Sequence, residues 1–249
     1  MPNISVVMSV FNEEKNISKC IESVLKQSFK NYEFLIFDDN SNDGTKNILK
    51  KYRKKNKKIK CYFSKKNLGL TKALNFLIKK SKGKYIARID GDDLWLKHKL
   101  QIQFDFMKKN EIFLVGTNGY YKKKNKIFRK SHLPLSFDDI KNKIFYSNPI
   151  IHSSVLFRND KKSKFYNENF TKCQDYNAWV KYIFKNNEIQ NLPNYLVEHN
   201  IDKNYDIRTL INTFRIKLFI FRKINKISYL FHLFWWTLIN FFKFIFNVK

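Results

Sequence analysis

The sequence predicts an α/β fold in which helices cover both faces of a mostly parallel β-sheet. Four short apolar runs in the first 90 residues alternate with segments that repeat apolar residues at helical spacing. Each run is mostly apolar and rich in β-branched or aromatic residues, as strands buried on both faces are. With 249 residues, the chain is long enough for one such domain and a short appendage.

The first half of the chain contains the clearest elements. Its predicted strands are Ile4–Val10, 33–37, Ile59–Phe63 and 85–89. The helices between them are predicted at 14–27, around Leu49, and at Leu70–Lys80. The second half is less regular, with strands expected at 112–117 and 154–157 and a helix at 175–184. Because the sheet pattern stops near residue 205, we expect one catalytic domain over residues 1–205 and a helical tail over 206–249.

The chain is strongly basic, with a formal net charge of +28. Such a charge is compatible with nucleic acid, an anionic membrane or acidic ligands as the partner. Alanine is rare while Lys, Asn, Ile and Phe abound, so a genome rich in A and T would account for much of the lysine. Hydrophobic residues at 43% and aromatic residues at 17% exclude a disordered chain.

Three cysteines, Cys20, Cys61 and Cys173, lie far apart and form no CxxC pair. This arrangement favours a reducing compartment and argues against a disulfide framework or a structural zinc site. The apolar run Ile4–Val10 is short and is followed by polar residues, which predicts a buried strand rather than a signal peptide. We therefore expect a cytoplasmic protein.

Two acidic clusters follow predicted strands. Asp38 and Asp39 end the second strand, and Asp90-Gly91-Asp92 ends the fourth. In open α/β sheets, ligands bind at the carboxyl ends of the strands, and carboxylates there suit Mg²⁺ or Mn²⁺ beside a phosphate. For each cluster alone, a turn or a helix cap is the alternative. A dinucleotide site is disfavoured, because no Gly-x-Gly-x-x-Gly follows the first strand.

Four segments, taken in order, resemble the successive signatures of glycosyltransferase family 2. They are SVVMSVFNE at residues 5–13, DDNSNDGT at 38–45, NLGLTKALN at 67–75 and RIDGDD at 88–93. The resemblance extends over roughly residues 4–200. It implies a GT-A (Rossmann-like) fold, a nucleotide-sugar donor that is most often UDP-linked, a divalent metal (Mn²⁺ or Mg²⁺) and inversion at the anomeric carbon.

The resemblance also implies roles for individual residues of these segments. Phe11 and Glu13 would line the nucleobase and the ribose, and Asp39 would hold the edge of the uracil. Asp90 would face the ribose or the sugar, and Asp92 would bind the metal beside the diphosphate. The protein is thus expected to bind a nucleotide-sugar and a divalent metal together.

A third acidic position lies at the start of a predicted helix, in the stretch QDYNAW at residues 174–179. The stretch resembles a family pattern of the form Glu-Asp-Tyr-Asp-x-Trp, which implies that Asp175 is the general base for the acceptor hydroxyl. Amides replace two acids of that pattern, at positions 174 and 177. The alternative is an acid that only stabilises the helix N-terminus.

Two further residues are candidates for contact with the diphosphate. His152, in a segment that also resembles the family, would complete the metal site or contact the diphosphate; a buried, hydrogen-bonded histidine is the alternative. Lys72 would approach the phosphates, unless it is a solvated lysine. Trp179 is expected in the core, and His199 shows no ligand spacing and receives no role.

The tail differs in composition from the rest of the chain. Basic residues precede an aromatic segment at 227–248 that carries one formal charge. Its polar residues recur at steps of three or four or their multiples, at Ser228, His232, Asn240, Lys243 and Asn247. This pattern predicts an amphipathic helix that lies in the interface of an anionic membrane. Packing on a partner, a membrane span, and docking on the protein's own core are the alternatives.

A soluble donor and a tail on the membrane suit an acceptor at the cytoplasmic leaflet. We expect a lipid-linked saccharide for surface polysaccharide or lipopolysaccharide, and a protein peripheral on the inner face of the cell membrane. A transferase of the same fold that loads a polyprenyl phosphate is an alternative, as are a basic nucleic-acid-binding protein and a pseudoenzyme. The paired acids would repel nucleic-acid phosphates, so we expect no nucleic acid as partner.

Overall fold

The computed structural model describes residues 1–124, 126–160, 164–201, 206–224, 229 and 233–240. Its strands are β1 (Ile4–Val10), β2 (Tyr32–Asp38), β3 (Ile59–Phe63), β4 (Tyr85–Arg88), β5 (Leu94–Trp95), β6 (Leu114–Lys123), β7 (Lys126–Lys130), β8 (Leu156–Arg158) and β9 (Ile189–Asn200). Its helices are α1 (Ile17–Leu25), α2 (Thr45–Lys55), α3 (Leu70–Lys80), α4 (Lys99–Lys109), α5 (Phe137–Lys143), α6 (Gln174–Ile183) and α7 (Ile207–Ile224).

Within these residues the strands form one sheet in the order β3-β2-β1-β4-β8-β6-β9-β5, and β7 pairs with β6. The helices pack on both faces of this sheet and bury two hydrophobic clusters. Leu74 of α3 and Trp179 of α6 belong to one cluster, and Ile21 of α1 belongs to the other. Trp179 is completely buried, as the sequence predicts. The predicted α/β fold class is confirmed.

One half of the sheet is parallel and ends in the predicted acidic clusters. β1 pairs with β2 and with β4, and β2 pairs with β3, all in parallel. Every residue of β1 and β2 is buried, which explains their mostly apolar pattern. The register sets Val10 opposite Asp38, so these two strands end together. The loops after β1, β2 and β4 therefore meet at one edge of the sheet.

The other half of the sheet is mixed, and the sequence predicts it less well. β8 pairs antiparallel with β4 and β6, whereas β6 and β9 run parallel. The strand predicted at 112–117 is β6, which begins later and extends to Lys123 because it pairs with β7 and β9. The sequence does not predict β9, because Pro193 and several polar residues interrupt its apolar pattern.

Other predicted bounds shift by a few residues. The helix predicted at 14–27 is α1, which begins at Ile17 because residues 14–16 form a turn. The strand predicted at 154–157 is β8, which begins at Leu156 because Ser154 closes a single turn of 3-10 helix. The helix predicted at 175–184 is α6, at Gln174–Ile183. These shifts leave the order of elements unchanged.

Helix α7 is hydrogen-bonded to the backbone at Phe145 and Tyr146. Its Lys217 is buried and donates from Nζ to the backbone oxygens of Phe145 (3.2 Å) and Tyr146 (2.9 Å). Burial lowers the pKa of Lys217 to about 8. The hydroxyl of Tyr229 also donates to the Phe145 oxygen, at 2.9 Å. Lys217 of α7 and Tyr229 beyond it therefore both donate to the backbone oxygen of Phe145.

The interfacial helix predicted at 227–248 lies largely outside the described residues. Four of the five positions of its polar stripe are not described: Ser228, His232, Lys243 and Asn247. Of the described positions, Tyr229 and Leu233 are buried and Trp235 is 57% exposed. No helix in the described part of the chain combines the length and the apolarity that crossing a bilayer requires. Contact of this segment with a membrane stays a prediction.

A buried carboxylate ties the amino ends of β1 and β2 to the turn before β4. Glu33 accepts hydrogen bonds from Ser5 Oγ (2.8 Å), the Lys82 N–H (2.7 Å) and Lys60 Nζ (2.8 Å). Burial alone would raise the pKa of Glu33, but these bonds favour the charged form and lower it overall. The stability that this carboxylate contributes is present above the pKa of an unfolded glutamate and is lost as the pH falls through the lower folded value.

We expect Glu33→Gln to lower the free energy of unfolding at neutral pH by about 1–3 kcal/mol, because a neutral amide is a poorer acceptor for three donors. The difference from the native chain should shrink as the pH falls through the acidic range, which urea unfolding at a series of pH values measures. Glu111→Gln, at an exposed position after α4, is the control and should change stability by less than about 0.5 kcal/mol. A loss that is independent of pH would contradict the role given to the charge.

Candidate active site

An open cleft of about 670 Å³ lies over the carboxyl ends of β1, β2 and β4. Seven of the eight residues to which the sequence analysis assigns a role line this cleft: Phe11, Glu13, Asp39, Asp90, Asp92, His152 and Asp175. The eighth, Lys72, is exposed on α3 and is not among the lining residues. Widely separated stretches of the chain thus converge on one cavity.

The floor of the cleft contains a buried ion pair. Arg88, the last residue of β4, is 1% exposed and makes a bidentate salt bridge to Asp90 through both terminal guanidinium nitrogens. Burial alone would lower the pKa of Arg88, but the negative charge of Asp90 outweighs it and the pKa is raised. Asp90 is therefore fixed in orientation, and a permanent positive charge lies beneath the carboxylates of the cleft.

Three carboxylates after β4 lie close enough to hold one cation. Asp90, Asp92 and Asp93 each offer an oxygen within 4.8 Å of the others. Asp93 is fully buried, and its oxygens lie 2.9 Å from Nδ1 of His199 and 2.7 Å from a backbone N–H. Asp90 is held by Arg88, so Asp92, which lines the cleft, fits the metal position that the family resemblance implies. Oxygen donors of this kind suit Mg²⁺ or Mn²⁺.

The glycine within this acidic loop is required by a close approach of two segments. A Cβ atom on Gly91 would lie 2.8 Å from Cγ1 of Val10 and 3.3 Å from Cγ of Glu13. The loop after β4 can lie against the end of β1 because position 91 has no side chain.

The thiol of Cys20 lies near the same acidic loop. Burial raises the pKa of this thiol, and the negative charges of the three aspartates and Glu13 raise it further. The electrostatic environment of the loop therefore favours a cation.

Asp39 links the end of β2 to the loop that precedes α3. Its two carboxylate oxygens accept the backbone N–H groups of Leu68 (2.7 Å) and Gly69 (2.8 Å). Gly69 has a φ of +85°, a conformation that L side chains rarely adopt. Each carboxylate oxygen has a second lone pair, so Asp39 can hold this loop and still accept a hydrogen bond from a ligand in the cleft.

Hydrogen bonds join the two loops at the mouth of the cleft. The N–H of Asn12 donates to Ser41 Oγ at 3.0 Å, and the N–H of Glu13 donates to Thr45 Oγ1 at 2.8 Å. Asn12 has a φ of 56°, in the left-handed region that asparagine tolerates better than most residues. Phe11 precedes it and is 47% exposed. An exposed aromatic ring next to a half-buried carboxylate suits a nucleobase and its ribose.

Asp175 lies in the first turn of α6, at the wall of the cleft. Its Oδ2 accepts a hydrogen bond from Nδ2 of Asn148 at 2.7 Å. Although the residue is partly open to solvent, its surroundings are mostly protein, and this burial raises the pKa of Asp175. The N–H of Tyr176, the charge of Arg88 and the bond from Asn148 act in the opposite direction without cancelling it. The carboxylate is therefore both oriented and more basic than usual, as a general base should be.

The turn before α6 connects the rim of the cleft to α7. Cys173 has a φ of 56°, which directs the chain into α6, and its Sγ lies 3.4 Å from Thr213 Oγ1. Asn212 donates from Nδ2 to the backbone oxygen of Lys172 at 3.0 Å. Both Lys172 and Cys173 line the cleft. One face of α7 thus supports the turn that positions Asp175.

His152 has a hydrogen-bonded position at the edge of the core. It is 8% exposed, and its Nε2 lies 2.7 Å from the hydroxyl oxygen of Tyr166. The ring meets that of Trp179 nearly edge to face, with centroids 5.9 Å apart. This burial agrees with the structural alternative for His152, yet the residue also lines the cleft. Its contact with a diphosphate stays a prediction.

Several residues without an assigned role also line the cleft, among them Arg88, Tyr121 and His199. A single charged residue within an apolar strand is the signal that marks Arg88, since unpaired charges are rarely buried. Tyr121 and His199 are register partners on β6 and β9, and their rings lie 6.1 Å apart. The pairing of two distant strands creates that contact, and the spacing of residues along the sequence does not reveal it.

Known proteins match this chain in sequence. The family described as glycosyl transferase family 2 matches residues 5–169. An uncharacterized glycosyltransferase of Methanocaldococcus jannaschii is 32% identical over 207 residues, which are 80% of this chain and 71% of that protein. The putative teichuronic acid biosynthesis glycosyltransferase TuaG of Bacillus subtilis is 26% identical over 234 residues, 92% of this chain and 91% of TuaG. Other relatives are longer: the chain spans 30% of one from Rickettsia conorii.

Solved structures match the fold. TarS 1-349 of S. aureus in complex with UDP has a TM-score of 0.70 and 22% identity over 87% of this chain and 64% of that chain. The mannosyltransferase PcManGT of Pyrobaculum calidifontis, in complex with GDP-Man and Mn²⁺, has a TM-score of 0.64 and 14% identity over 89% of this chain and 64% of that chain. At these identities the likeness shows the fold alone, and the sequence matches show the family. This chain is a glycosyltransferase that belongs to glycosyl transferase family 2.

Proposed function

We propose that this glycosyltransferase moves a sugar, with inversion, from a UDP-linked donor to a hydroxyl group of a lipid-linked saccharide. The observation that carries the proposal is the single cleft that Asp39, Asp92 and Asp175 share, although they come from three distant stretches of the chain. One cavity can therefore hold the nucleotide, a metal beside the diphosphate and the attacking hydroxyl. Its volume of about 670 Å³ is within the range of small-molecule sites.

The nucleoside of the donor is assigned to the part of the cleft formed by the loops after β1 and β2. Phe11 would stack on the base, and Glu13 would accept a hydrogen bond from the ribose. Asp39 would accept the N–H of the uracil edge through the lone pairs that the backbone leaves available. Asp90, held by its buried partner, would face the ribose or the sugar. The fold that this chain shares with TarS, which was solved with UDP, supports a uridine diphosphate.

A divalent cation, Mn²⁺ or Mg²⁺, is assigned to Asp92, with the neighbouring aspartates adding negative charge. When bound, such an ion neutralises the charge that develops on the leaving nucleoside diphosphate. The fold shared with PcManGT, which was solved with Mn²⁺, supports a metal at this place. His152 and Lys72 are assigned to the diphosphate as further contacts, and for Lys72 this requires its exposed side chain to turn toward the cleft.

Asp175 is assigned as the general base of a single displacement. The acceptor hydroxyl gives its proton to the Asp175 carboxylate while its oxygen bonds to the anomeric carbon, and the nucleoside diphosphate leaves from the opposite face. One such displacement inverts the configuration and needs no covalent intermediate with the enzyme. The hydrogen bond from Asn148 and the raised pKa of Asp175 support this role.

The acceptor is assigned to the inner face of the cell membrane, as a lipid-linked saccharide of a surface polysaccharide or lipopolysaccharide. The name of TuaG, a putative enzyme of teichuronic acid biosynthesis, supports a surface polymer. The basic and aromatic tail at 206–249 supports attachment to anionic lipid. The protein would then be cytoplasmic and peripheral, with residues 1–205 as its catalytic domain.

We expect UDP-sugars to raise the melting temperature more than GDP- or dTDP-sugars, and the rise to require Mn²⁺ or Mg²⁺. Asp92→Asn should weaken the affinity for the metal at least about tenfold, since even residues that only hydrogen-bond to a metal ligand contribute that much. Asp105→Asn, at an exposed position on α4, is the control and should have no effect. Scanning fluorimetry with and without EDTA measures both, and a nucleotide effect of equal size in EDTA would contradict the metal assignment.

We expect Asp175→Asn to lower kcat by about a hundredfold or more, because an amide cannot accept the proton of the acceptor hydroxyl. Binding of UDP should be unchanged. Asp138→Asn is the matched control, because Asp138 is an exposed acid in the first turn of another helix, α5. Release of UDP in the presence of a membrane-lipid extract measures turnover. Retained turnover would indicate an acceptor that is already ionised, as in the polyprenyl phosphate alternative.

The raised pKa of Asp175 predicts that kcat/KM falls, as the pH is lowered, at a higher pH than an ordinary aspartate would give, because the base acts only when ionised. Asn148→Ala removes a donor to the ionised form, so this acidic limb should move to still higher pH. Asn177→Ala is the control, on the same turn of α6 but outside the cleft. A pH–rate profile that Asn148→Ala leaves in place would be evidence against Asp175 as the base.

A further inference from the structure

Helix α7 has an apolar face that is exposed. Ile207, Ile211 and Phe214 recur at steps of four and three residues and are 43%, 51% and 36% exposed. Leu218 continues this stripe and is half-buried. Because a helix turns by about 100° per residue, these four side chains lie on one side of α7. The opposite side is the buried one, with Asn212, Ile216 and Ile220.

A row of arginines runs along one edge of this outward stripe. Arg208, Arg215 and Arg222 follow one another at seven-residue intervals and are exposed. No Asp or Glu occurs within α7, so the helix carries none of the acids that would neutralise them in i,i+4 pairs. Exposed apolar side chains beside exposed guanidinium groups match an anionic bilayer, in which acyl chains accept the former and phosphates the latter.

Either a bilayer or a second copy of this chain could cover the apolar stripe, and the charge of the chain favours the bilayer. Apolar residues at this spacing also pair with the same stripe of another helix. Such a pair would bring two arginine rows together and join two chains that each have a net charge of +28. We propose that α7 lies with its outward face on an anionic phospholipid bilayer. The sequence predicts an interfacial helix at 227–248 with the preceding basic residues holding anionic lipid, and the structure adds an exposed apolar stripe on α7 itself.

The inward face of α7 connects this surface to the cleft. Asn212 and Thr213 contact Lys172 and Cys173, which line the cleft. A helix with its side chains is about 10 Å across, so the rim of the cleft lies roughly one helix diameter from the bilayer. A saccharide on a lipid headgroup would then reach Asp175 while its lipid stays in the bilayer. This reach rests on the proposed function, and the binding of α7 to lipid specifies which face of the tail at 206–249 makes the membrane contact proposed there.

Vesicle sedimentation with the 249-residue chain tests the surface. We expect binding to vesicles of phosphatidylcholine with phosphatidylglycerol and little binding to phosphatidylcholine alone. Ile211→Ser with Phe214→Ser should weaken binding at least about tenfold, because apolar area is no longer buried in the interface. Arg208→Gln with Arg222→Gln should weaken it by about 30-fold, from the contribution of two cations at an anionic surface.

A matched control removes the same net charge elsewhere. Lys50→Gln with Lys54→Gln, at exposed positions of α2, should leave vesicle binding nearly unchanged. An equal loss from this pair would show that only the overall charge matters and would overturn the proposal. So would binding to phosphatidylcholine alone with equal strength. The proposal would also be overturned if sedimentation velocity showed a dimer that the Ile211 and Phe214 substitutions dissociate. The stripe would then be an interface between two copies of the chain.

The same samples separate this inference from the proposed function. A native chain that responds to UDP and metal but does not bind anionic vesicles would contradict the α7 surface and the membrane attachment, and it would leave the donor and metal assignments intact. A chain that binds vesicles through α7 but shows no response to UDP or to metal would support the surface and contradict the donor assignment. The exposed variants should keep the native melting temperature, which verifies that they fold.

Discussion

The buried pairing of Arg88 with Asp90 is the interaction on which the rest of the cleft depends. Three aspartates whose oxygens lie within 4.8 Å of one another repel strongly unless positive charge is close by. Arg88 supplies that charge from the end of β4 and fixes one carboxylate through two hydrogen bonds. A buried cation of this kind is tolerated because it is paired, and a neutral side chain in its place would leave the acidic loop without its nearest counter-charge.

The parallel half of the sheet could be predicted from sequence because each of its strands is marked by an apolar pattern within a few consecutive residues. Strands buried on both faces are mostly apolar, and acidic residues after their ends mark where the pattern stops, as at Asp39 and Asp92. The mixed half depends on pairing between distant segments, which no local pattern encodes. β9 contains Pro193 and is read as irregular, so the contact of Tyr121 with His199 and the bond of His199 to Asp93 could not be anticipated.

The roles of single residues were harder to predict from the sequence than their positions in the fold. The sequence offered two interpretations of Asp39, a ligand for the nucleotide or a helix cap. The structure gives it a third task, because both oxygens hold the loop before α3. Lys72 shows the opposite case, since a motif that matches in register still leaves its side chain exposed, outside the lining of the cleft. A motif match predicts where the backbone of a residue lies, but it does not determine the direction in which a long, flexible side chain points.

The convergence of Lys217 and Tyr229 on one carbonyl affects how the protein can be shortened. A chain truncated at residue 205 would keep every carboxylate of the cleft, because all of them precede that position. It would lose both donors to the Phe145 oxygen and the helix that packs behind the turn at Cys173. The segment that carries Asn148 would then keep its hydrogen bonds from Tyr176 and Asn191 and lose those from Lys217 and Tyr229. The composition of the chain changes near residue 205, whereas contacts that support the rim of the cleft come from Asn212, Lys217 and Tyr229 beyond it.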